Sequence, residues 1–337
     1  MRKVTAMVLF MVLAMVSSAF AGETFDAVKK RGELIAGVNT GAPGFSMPDS
    51  QGNWTGLDVD IARAIATAVL GDPKKVKFVP LTSQQRFTAL QSGEVDVLCR
   101  QTTITLTRDT SLGLDFAPPE LYDGQAIMVP ADMGVKSAKQ LDNATIGMLP
   151  GTTTERNVQD YFRSNGIKFK PVLIESKDEL LKAFVSGRCD GLTSDASTLA
   201  GMRAVTPDPS KYVILPELIS KEPLATAVRQ GDPQWKDLVY WTMLALIEAE
   251  DLGITSKNLD EKLKSDDPNV QRFLGVTPGN GQALGVDEKW AYNIIKNVGN
   301  YGEIFDRNLG PSTPMKLERG LNKLYKDGGL MYSPPFK

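Results

Sequence analysis

A short segment of the chain repeats itself in outline. Residues 87–98 read FTALQSGEVDVL, and residues 181–192, which lie 94 positions later, read LKAFVSGRCDGL. Each segment predicts a helix that ends at a Ser-Gly pair, then a turn that contains an Asp, and then a strand. Gly93 and Gly187 are expected in the left-handed conformation at the two helix ends. The repeat predicts two similar α/β lobes, although the helix–glycine–strand order common to α/β proteins would give the same pattern.

The length and the order of predicted elements agree with two lobes. The chain has 337 residues and is 42% hydrophobic, which is enough for two cores of roughly 150 residues each. Strands are predicted at 34–38, 76–81, 95–99 and 145–148, and helices at 25–30, 60–70 and 84–91. Strands that alternate with helices indicate parallel βαβ units. Such sheets bind ligands at the carboxyl ends of their strands, so a cleft between the lobes is the expected site.

The residue counts exclude several kinds of chemistry. The chain has no His and only two Cys, Cys99 and Cys189, which rules out Ser-His-Asp and Cys-His catalysis and metal sites that need His or several Cys. We expect no cofactor and no metal, and we expect both cysteines to be buried free thiols. The formal net charge is -2 without long blocks of one sign, so a nucleic-acid partner is not expected.

The amino terminus has the pattern of a secretory signal. Arg2 and Lys3 precede the uncharged stretch Val4–Ala21, which ends in Ala-Phe-Ala. This pattern predicts a signal peptide over residues 1–21, and a membrane anchor is the alternative. The prediction is an exported, periplasmic protein.

Polar groups are placed where a zwitterion could be held. Arg108 offers a planar cation for a carboxylate. The segment 151–153, Gly-Thr-Thr, offers backbone N–H groups at a helix start. Asp195, with the Thr103 hydroxyl and the Gln101 carbonyl, could accept bonds from an ammonium group. The alternatives are an ordinary Thr-rich strand, a surface arginine and a helix cap. Asp58 and Asp60 are interpreted as acids at a helix start.

These motifs resemble those of the periplasmic amino-acid-binding proteins of ABC importers, and the ending, within residues 300–332, resembles the branch that binds general L-amino acids. The resemblance covers nearly all of the chain after residue 21. The matching segments are Gly37–Asn39, Gly56–Asp60, Asp96, Thr103, Arg108, Phe116–Pro118, Gly151–Glu155, Asp190, Asp195, Asn300–Asn308, Arg319–Asn322 and Gly328–Tyr332.

The resemblance implies the two-lobed periplasmic binding protein fold (type II). In this α/β fold, two parallel-rich sheets with flanking helices are joined by a two-strand hinge, and the ligand lies in the cleft. Residues 22–126 would form the first part of lobe 1 and residues 127–224 would form lobe 2. Residues 225–337 would return to lobe 1 and add a helical extension.

The resemblance also implies roles for individual residues. Arg108 would hold the ligand's α-carboxylate together with backbone groups of Thr103 and Thr153, beside Thr152. Asp195 would hold the α-ammonium with the Thr103 hydroxyl and the Gln101 carbonyl. The residues expected near the ligand's side chain are Asn39, Ser83, Gln84 and Arg100. Ser83 and Ala42 stand where narrow-specificity relatives often carry aromatics, which suggests a roomy, polar pocket, whereas Gln101 and Ile104 depart from the Asn and Trp of the general branch.

The implied function is a monomeric receptor, not an enzyme, that captures a free L-amino acid and delivers it to an inner-membrane ABC permease with its ATPase. One alternative is an enzyme on the same scaffold, such as a cyclohexadienyl or arogenate-type dehydratase. It would need a carboxyl acid with a raised pKa in the cleft, and Asp195 is the candidate. Another alternative is a sensor that feeds a chemoreceptor.

Overall fold

The computed structural model describes residues 23–337. The signal peptide expected at 1–21 lies outside the described residues. Within 23–337, the helices are all too short or too polar to cross a membrane.

The first sheet combines strands from both ends of the chain. Its order is β4-β1-β5-β13-β6, with β7 also pairing with β13. Strands β1, β4 and β5 are parallel, and β13 runs antiparallel to them. The bounds are β1 Leu34–Asn39, β4 Val76–Leu81, β5 Val97–Thr103, β6 Leu114–Phe116, β7 Leu121–Asp123 and β13 Glu222–Arg229; a separate hairpin is formed by β2 Met47–Pro48 and β3 Trp54–Thr55.

The second sheet has the same arrangement as the first. Its order is β10-β9-β11-β8-β12, with three parallel strands followed by an antiparallel one. The bounds are β8 Gln125–Pro130, β9 Ala144–Met148, β10 Phe169–Leu173, β11 Gly191–Asp195 and β12 Tyr212–Ile214. Strands β5 and β11 hold the same place in their sheets, which confirms the meaning of the sequence repeat. Gly93 and Gly187 have φ angles of 80° and 78°, as their left-handed positions require.

The chain crosses between the sheets twice. It leaves the first sheet after Asp123, passes through Gly124, and returns between Ile214 and Glu222. The two crossings meet, because β7 pairs antiparallel with β13 and Glu222 stands opposite Asp123. Each sheet therefore receives its antiparallel strand directly at a crossing.

Helices cover both faces of the sheets. Leu57–Leu70 is buried on almost every side, because it packs between the first sheet and the carboxyl-terminal helices. The helix bounds are Glu23–Arg31, Leu57–Leu70, Arg86–Ser92, Leu106–Thr110, Thr153–Ser164, Lys177–Val185, Ala196–Ala204, Pro233–Asp251, Leu259–Lys262, Pro268–Phe273, Asn280–Leu284, Trp290–Val298 and Tyr301–Asn308. Short 3₁₀ turns lie at Ala131–Met133, Ala138–Gln140, Pro209–Lys211, Gly320–Asn322 and Tyr325–Asp327.

The last part of the chain is fixed to the first lobe. Phe336 enters an aromatic cluster, with ring centroids 5.1 Å from Trp241, 5.5 Å from Phe273 and 6.3 Å from Trp290. Such a buried aromatic ring contributes about 1.5–3 kcal/mol relative to exposure. The carboxyl terminus is therefore a structural part of this lobe.

Some local expectations were wrong. Strand β5 does not end at Cys99 but continues to Thr103, because Thr102 and Thr103 pair with Ala225 and Leu224 of β13. The same strand begins at Val97 rather than at residue 95. Both cysteines are buried and are not bonded to each other, as expected.

Candidate functional site

A small cavity lies between the two sheets. Its volume is about 30 Å³, close to the space of one or two waters. The lobe of the first sheet contributes Asn39, Ser83, Arg86, Arg100, Gln101 and Thr103, and the lobe of the second sheet contributes Leu149, Thr152, Thr153, Thr154, Lys177, Ser194 and Asp195. The two lobes are closed on one another at this point.

Strand ends place these side chains together. Asn39, Thr103 and Asp195 are the last residues of β1, β5 and β11. Thr152 caps the helix that follows β9 and accepts a hydrogen bond from the Glu155 N–H at 3.2 Å. Because parallel strands end at one edge of a sheet, the two edges face each other across the cavity.

The structure brings most of the expected site residues to the cavity. Those that line it are Asn39, Ser83, Arg100, Gln101, Thr103, Thr152, Thr153 and Asp195. Arg108 and Gln84 do not. Gln84 is exposed and lies against Gly151 of the opposite lobe. Arg108 lines an adjoining wider cavity of about 710 Å³ together with Phe87, Thr152 and Thr153.

Arg108 is held at the boundary between the two cavities. Its Nη1 donates to the Thr103 carbonyl at 2.6 Å, and its guanidinium stacks 5.1 Å from the Phe87 ring centroid. Burial lowers the pKa of Arg108 to about 10, and the charges of Glu222 and Asp195 oppose that shift. The guanidinium therefore stays charged at neutral pH.

Asp195 is the single acid on the cavity wall. Burial raises its pKa well above the ordinary value, and the charges of Asp123 and Glu222 raise it further. Within residues 23–337 its carboxyl group makes no hydrogen bond. An acid in these surroundings gains most from a cationic partner.

Gln101 ties the lobes together across the cavity. Its amide donates to Thr198 Oγ1 at 2.8 Å, and its amide oxygen accepts from Asn39 at 3.0 Å and from the Lys177 ammonium at 2.8 Å. Its φ of 40° is left-handed, which is costly for a residue with a side chain. Such strain is common where a backbone is shaped for binding.

Arg86 and Lys177 are cavity residues that the sequence reasoning missed. Arg86 is 3% exposed, and its guanidinium donates no hydrogen bond within the described residues. Burial lowers the pKa of both side chains, that of Lys177 to about 7. Each is the first residue of the helix after an edge strand, β4 or β10. That shared position in two similar lobes was a signal available in the sequence.

These two cations also change the shape of the pocket. They extend into the space where a roomy pocket was expected, and about 30 Å³ remains in this closed arrangement. Arg100 is different, because its guanidinium donates to the Leu81 carbonyl at 2.8 Å and to Ser83 at 3.2 Å. Burial lowers the Arg100 pKa to about 10. Arg100 is therefore satisfied by the protein, whereas Arg86 is not.

Glu222 was also missed, although it joins both lobes. Its carboxylate accepts hydrogen bonds from Thr103 at 2.5 Å, Thr153 at 2.9 Å and Asn157 at 2.6 Å. The strand that carries it comes from the second crossing, so no local motif marked it. It holds the two threonines beside the cavity.

Two buried carboxyls lie behind Gln101. Asp58 is 0% exposed and Glu120 is 1% exposed. Burial raises the pKa of Asp58 to about 6 and that of Glu120 well above its ordinary value, and the charge of Asp58 raises the Glu120 pKa further. Glu120 accepts a hydrogen bond from Thr226 at 2.8 Å. Asp58 is therefore not an ordinary solvent-facing acid at a helix start.

Similar proteins share both this fold and its length. The general L-amino acid-binding periplasmic protein of Rhizobium johnstonii is 51% identical over 97% of this chain and 96% of its own. The glutamate/glutamine/aspartate/asparagine-binding protein of Rhodobacter capsulatus is 50% identical over 96% of each chain. The solved periplasmic binding protein from Brucella ovis, with glutathione bound, superposes with a TM-score of 0.92 at 51% identity, covering 94% of this chain and 100% of the other.

The family model of bacterial extracellular solute-binding proteins, family 3, matches residues 34–258. Those residues include both sheets, both crossings and every residue that lines the closed cavity. By this match and by the identity to its relatives over nearly full length, the chain belongs to the bacterial extracellular solute-binding proteins of family 3.

Proposed function

We propose that this protein is a periplasmic receptor that captures an L-amino acid between its lobes and delivers it to an ABC-type permease. The observation that carries the proposal is a pair of opposite charges at two adjoining cavities between the lobes. The unpaired carboxyl group of Asp195 lies on the wall of the closed cavity, and the buried guanidinium of Arg108 lies on the wall of the wider one, close enough for its pKa to respond to the Asp195 charge. An α-amino acid carries the two complementary charges a short distance apart. Each charge-assisted hydrogen bond contributes about 1.5–3 kcal/mol.

The α-carboxylate would lie at the boundary of the two cavities. There Arg108 can meet it from one lobe, and Thr152 and Thr153 at a helix start can meet it from the other. The α-ammonium would lie against Asp195 and the Thr103 hydroxyl. Since the two lobes supply different parts of this set, an open form binds incompletely and the ligand favours closure.

The ligand's side chain would meet excess positive charge. The closed cavity is lined by three cations, Arg86, Arg100 and Lys177, and by one acid, Asp195. Arg86 Nε is buried without a hydrogen-bond acceptor within the described residues, and a buried donor without a partner is costly. We therefore propose a preference for side chains that present oxygen, as in glutamate, aspartate, glutamine and asparagine. Asn39 and Ser83 would complete this end of the site.

The relatives' names agree with this class. One is described as binding glutamate, glutamine, aspartate and asparagine, another as binding L-amino acids generally, and a third was solved with glutathione. Glutathione is larger than one amino acid, and the adjoining cavity of about 710 Å³ offers room for such an extension. Glutathione therefore belongs among the ligands to test.

The same proposal includes export and partners. Cleavage after residue 21 would release the chain into the periplasm as a monomer, and its partner would be an inner-membrane permease with an ATPase. We propose that the lobes comprise residues 22–124 with 222–337, and residues 125–221. These bounds lie two or three residues before the expected ends at 126 and 224, because all of β8 belongs to the second sheet and all of β13 to the first.

An enzyme is the second candidate, and one observation favours it. The raised pKa of Asp195 is what a general acid in the cleft would need. A ligand ammonium would reverse that shift by stabilising the carboxylate. We therefore propose binding without turnover.

A ligand screen tests the proposal. The purified protein would be heated with each of the twenty L-amino acids and with glutathione, and hits would be measured by calorimetry. A ligand at a hundred times its dissociation constant should add about 2.7 kcal/mol of stability. Mass spectrometry of the recovered ligand should show it unchanged. Failure of every compound to bind would overturn the amino-acid assignment, and a converted product would support the enzyme.

A further inference from the structure

A methionine near the carboxyl terminus contacts both lobes. Residues 259–337 lie beyond the part of the chain that matches the family model, and Met315 within them is 5% exposed. A Cβ added to Gly44 would lie 2.0 Å from Met315 Sδ, and one added to Gly201 would lie 3.4 Å from Met315 Cε. Met315 therefore packs between a loop of the first lobe and a helix of the second.

The helix Ala196–Ala204 approaches the first lobe closely at Gly201. A Cβ at this position would lie 2.7 Å from the Pro43 carbonyl oxygen. The neighbouring Ala200 belongs to the same buried apolar cluster as Met315. None of Pro43, Gly201 and Met315 lines the closed ligand cavity, so this is a separate contact between the lobes.

Residues 259–337, called the extension below, also bind the segment of the first lobe that precedes the first crossing. The Asn322 amide accepts from the Tyr122 N–H at 2.7 Å and donates to the Tyr122 carbonyl at 3.1 Å. Tyr301 donates its hydroxyl to the Glu120 carbonyl at 2.8 Å. The strand that leads into Gly124 is thereby fixed to the extension.

We propose that Pro43, Gly201 and Met315 form a closure latch, a contact that stabilises the closed arrangement of the lobes before any ligand is bound. Gly201 and Met315 are thus positioning residues for ligand capture. The inference rests on the proposed function only in that capture proceeds by closure. A latch of this kind raises the affinity of every ligand by the same factor, because it changes the fraction of binding-competent protein.

Two variants remove the latch in different ways. Gly201→Ala adds a methyl group that must displace Pro43, while alanine is the better residue inside a helix, so the folded protein should not lose thermal stability. Met315→Ala removes the side chain between the glycines. Met331→Ala is the matched control, because Met331 is 1% exposed and packs in the same cluster, on the side of the extension that pairs with Leu324.

Lobe separation can be measured without any ligand. Spin labels on cysteines introduced at Thr110 and Arg163, exposed residues of opposite lobes, would report the distance distribution. We expect a short-distance population in the natural protein and in Met331→Ala, and its loss in Gly201→Ala and Met315→Ala. A natural protein with only the long distance, or latch variants that keep the short one, would overturn the latch.

Affinity gives a second measurement. The two latch variants should weaken binding about tenfold for every ligand that binds, and Met331→Ala should not. Weakening confined to one ligand would contradict the latch, since that result indicates a change in the pocket. If no amino acid binds the natural protein, the proposed function fails, and the distance measurement still decides the latch.

Discussion

The Lys177 ammonium of the second lobe donates a hydrogen bond to the Gln101 amide oxygen of the first lobe at 2.8 Å. The same oxygen also accepts from Asn39 at 3.0 Å, so one acceptor serves two donors. A side-chain oxygen of the ligand could accept the hydrogen bond from one of these two donors instead. Lys177 therefore joins the two lobes across the cavity, and it is one of the donors that the proposed ligand would meet.

Replacing Lys177 with methionine should change selectivity more than stability. We expect Lys177→Met to reduce the preference for glutamate over leucine by about tenfold or more, because a charge-assisted hydrogen bond is lost. Calorimetry with both ligands would measure the ratio. Lys182→Met is the control, since Lys182 lies on the same helix and is 72% exposed. An unchanged ratio would show that Lys177 does not read the side chain.

The charge of Lys177 also predicts a pH dependence. Burial lowers its pKa to about 7, so the ammonium loses its proton as the pH rises above that value. Glutamate binding should therefore weaken above pH 7, and leucine binding should not show this loss. Titrations from pH 6 to pH 9 would test it, and Lys177→Met should abolish the difference.

Arg108 should be needed for every ligand. Arg108→Lys keeps the charge but loses the planar fork, and Arg108→Ala leaves a ligand carboxylate unpaired. Loss of one partner of a buried charge pair costs about 2–5 kcal/mol, so we expect Arg108→Ala to weaken binding by about 30-fold or more. Arg163→Ala, at a residue whose side chain is 78% exposed, is the control. Wild-type affinity in Arg108→Ala would contradict the assigned role.

Asp195 should release a proton when an amino acid binds. Burial raises its pKa, and the ligand ammonium should lower it, so affinity should increase as the pH rises through the raised value. Calorimetry in buffers of different ionisation enthalpy would count the protons. Asp195→Asn should lose both the release and most of the affinity, and Asp178→Asn, at a side chain that is 72% exposed, should keep both. Proton release that persists in Asp195→Asn would assign it to another group.

The buried pair behind Gln101 should make stability depend on pH. Asp58 keeps its proton to about pH 6 when folded and loses it near 3.8 when unfolded, so its contribution to stability is present below 3.8 and is lost as the pH rises through 6. As the pH rises from 3.8 to 6, the free energy of unfolding of Asp58→Asn should therefore increase by on the order of 2–3 kcal/mol relative to that of the natural protein. Urea unfolding at several pH values would measure it. If the difference in the free energy of unfolding between the two proteins did not change with pH, Asp58 would not have a raised pKa.

The sequence alone determined much of the architecture, because each helix and strand depends mainly on residues that are close together along the chain. Hydrophobic periodicity placed the helix over residues 60–70 within the observed Leu57–Leu70, and the strand Val76–Leu81 had the predicted bounds. The repeat predicted two lobes because each helix, glycine and strand is a local unit. Most of the residues expected from their place near strand ends, or from the resemblance, line one cavity.

Tertiary structure decided what required distant segments to meet. Arg86, Lys177 and Glu222 lie at the starts of elements that converge only after both crossings are made. The facing lobe determines how deeply these side chains are buried. It also determines how many hydrogen-bond partners each one has, and no local pattern in the sequence encodes either property. The extension of β5 to Thr103 needed its partner β13. The contact of Met315 with Gly201 joins positions more than a hundred residues apart, and only closure of the lobes brings these two residues together.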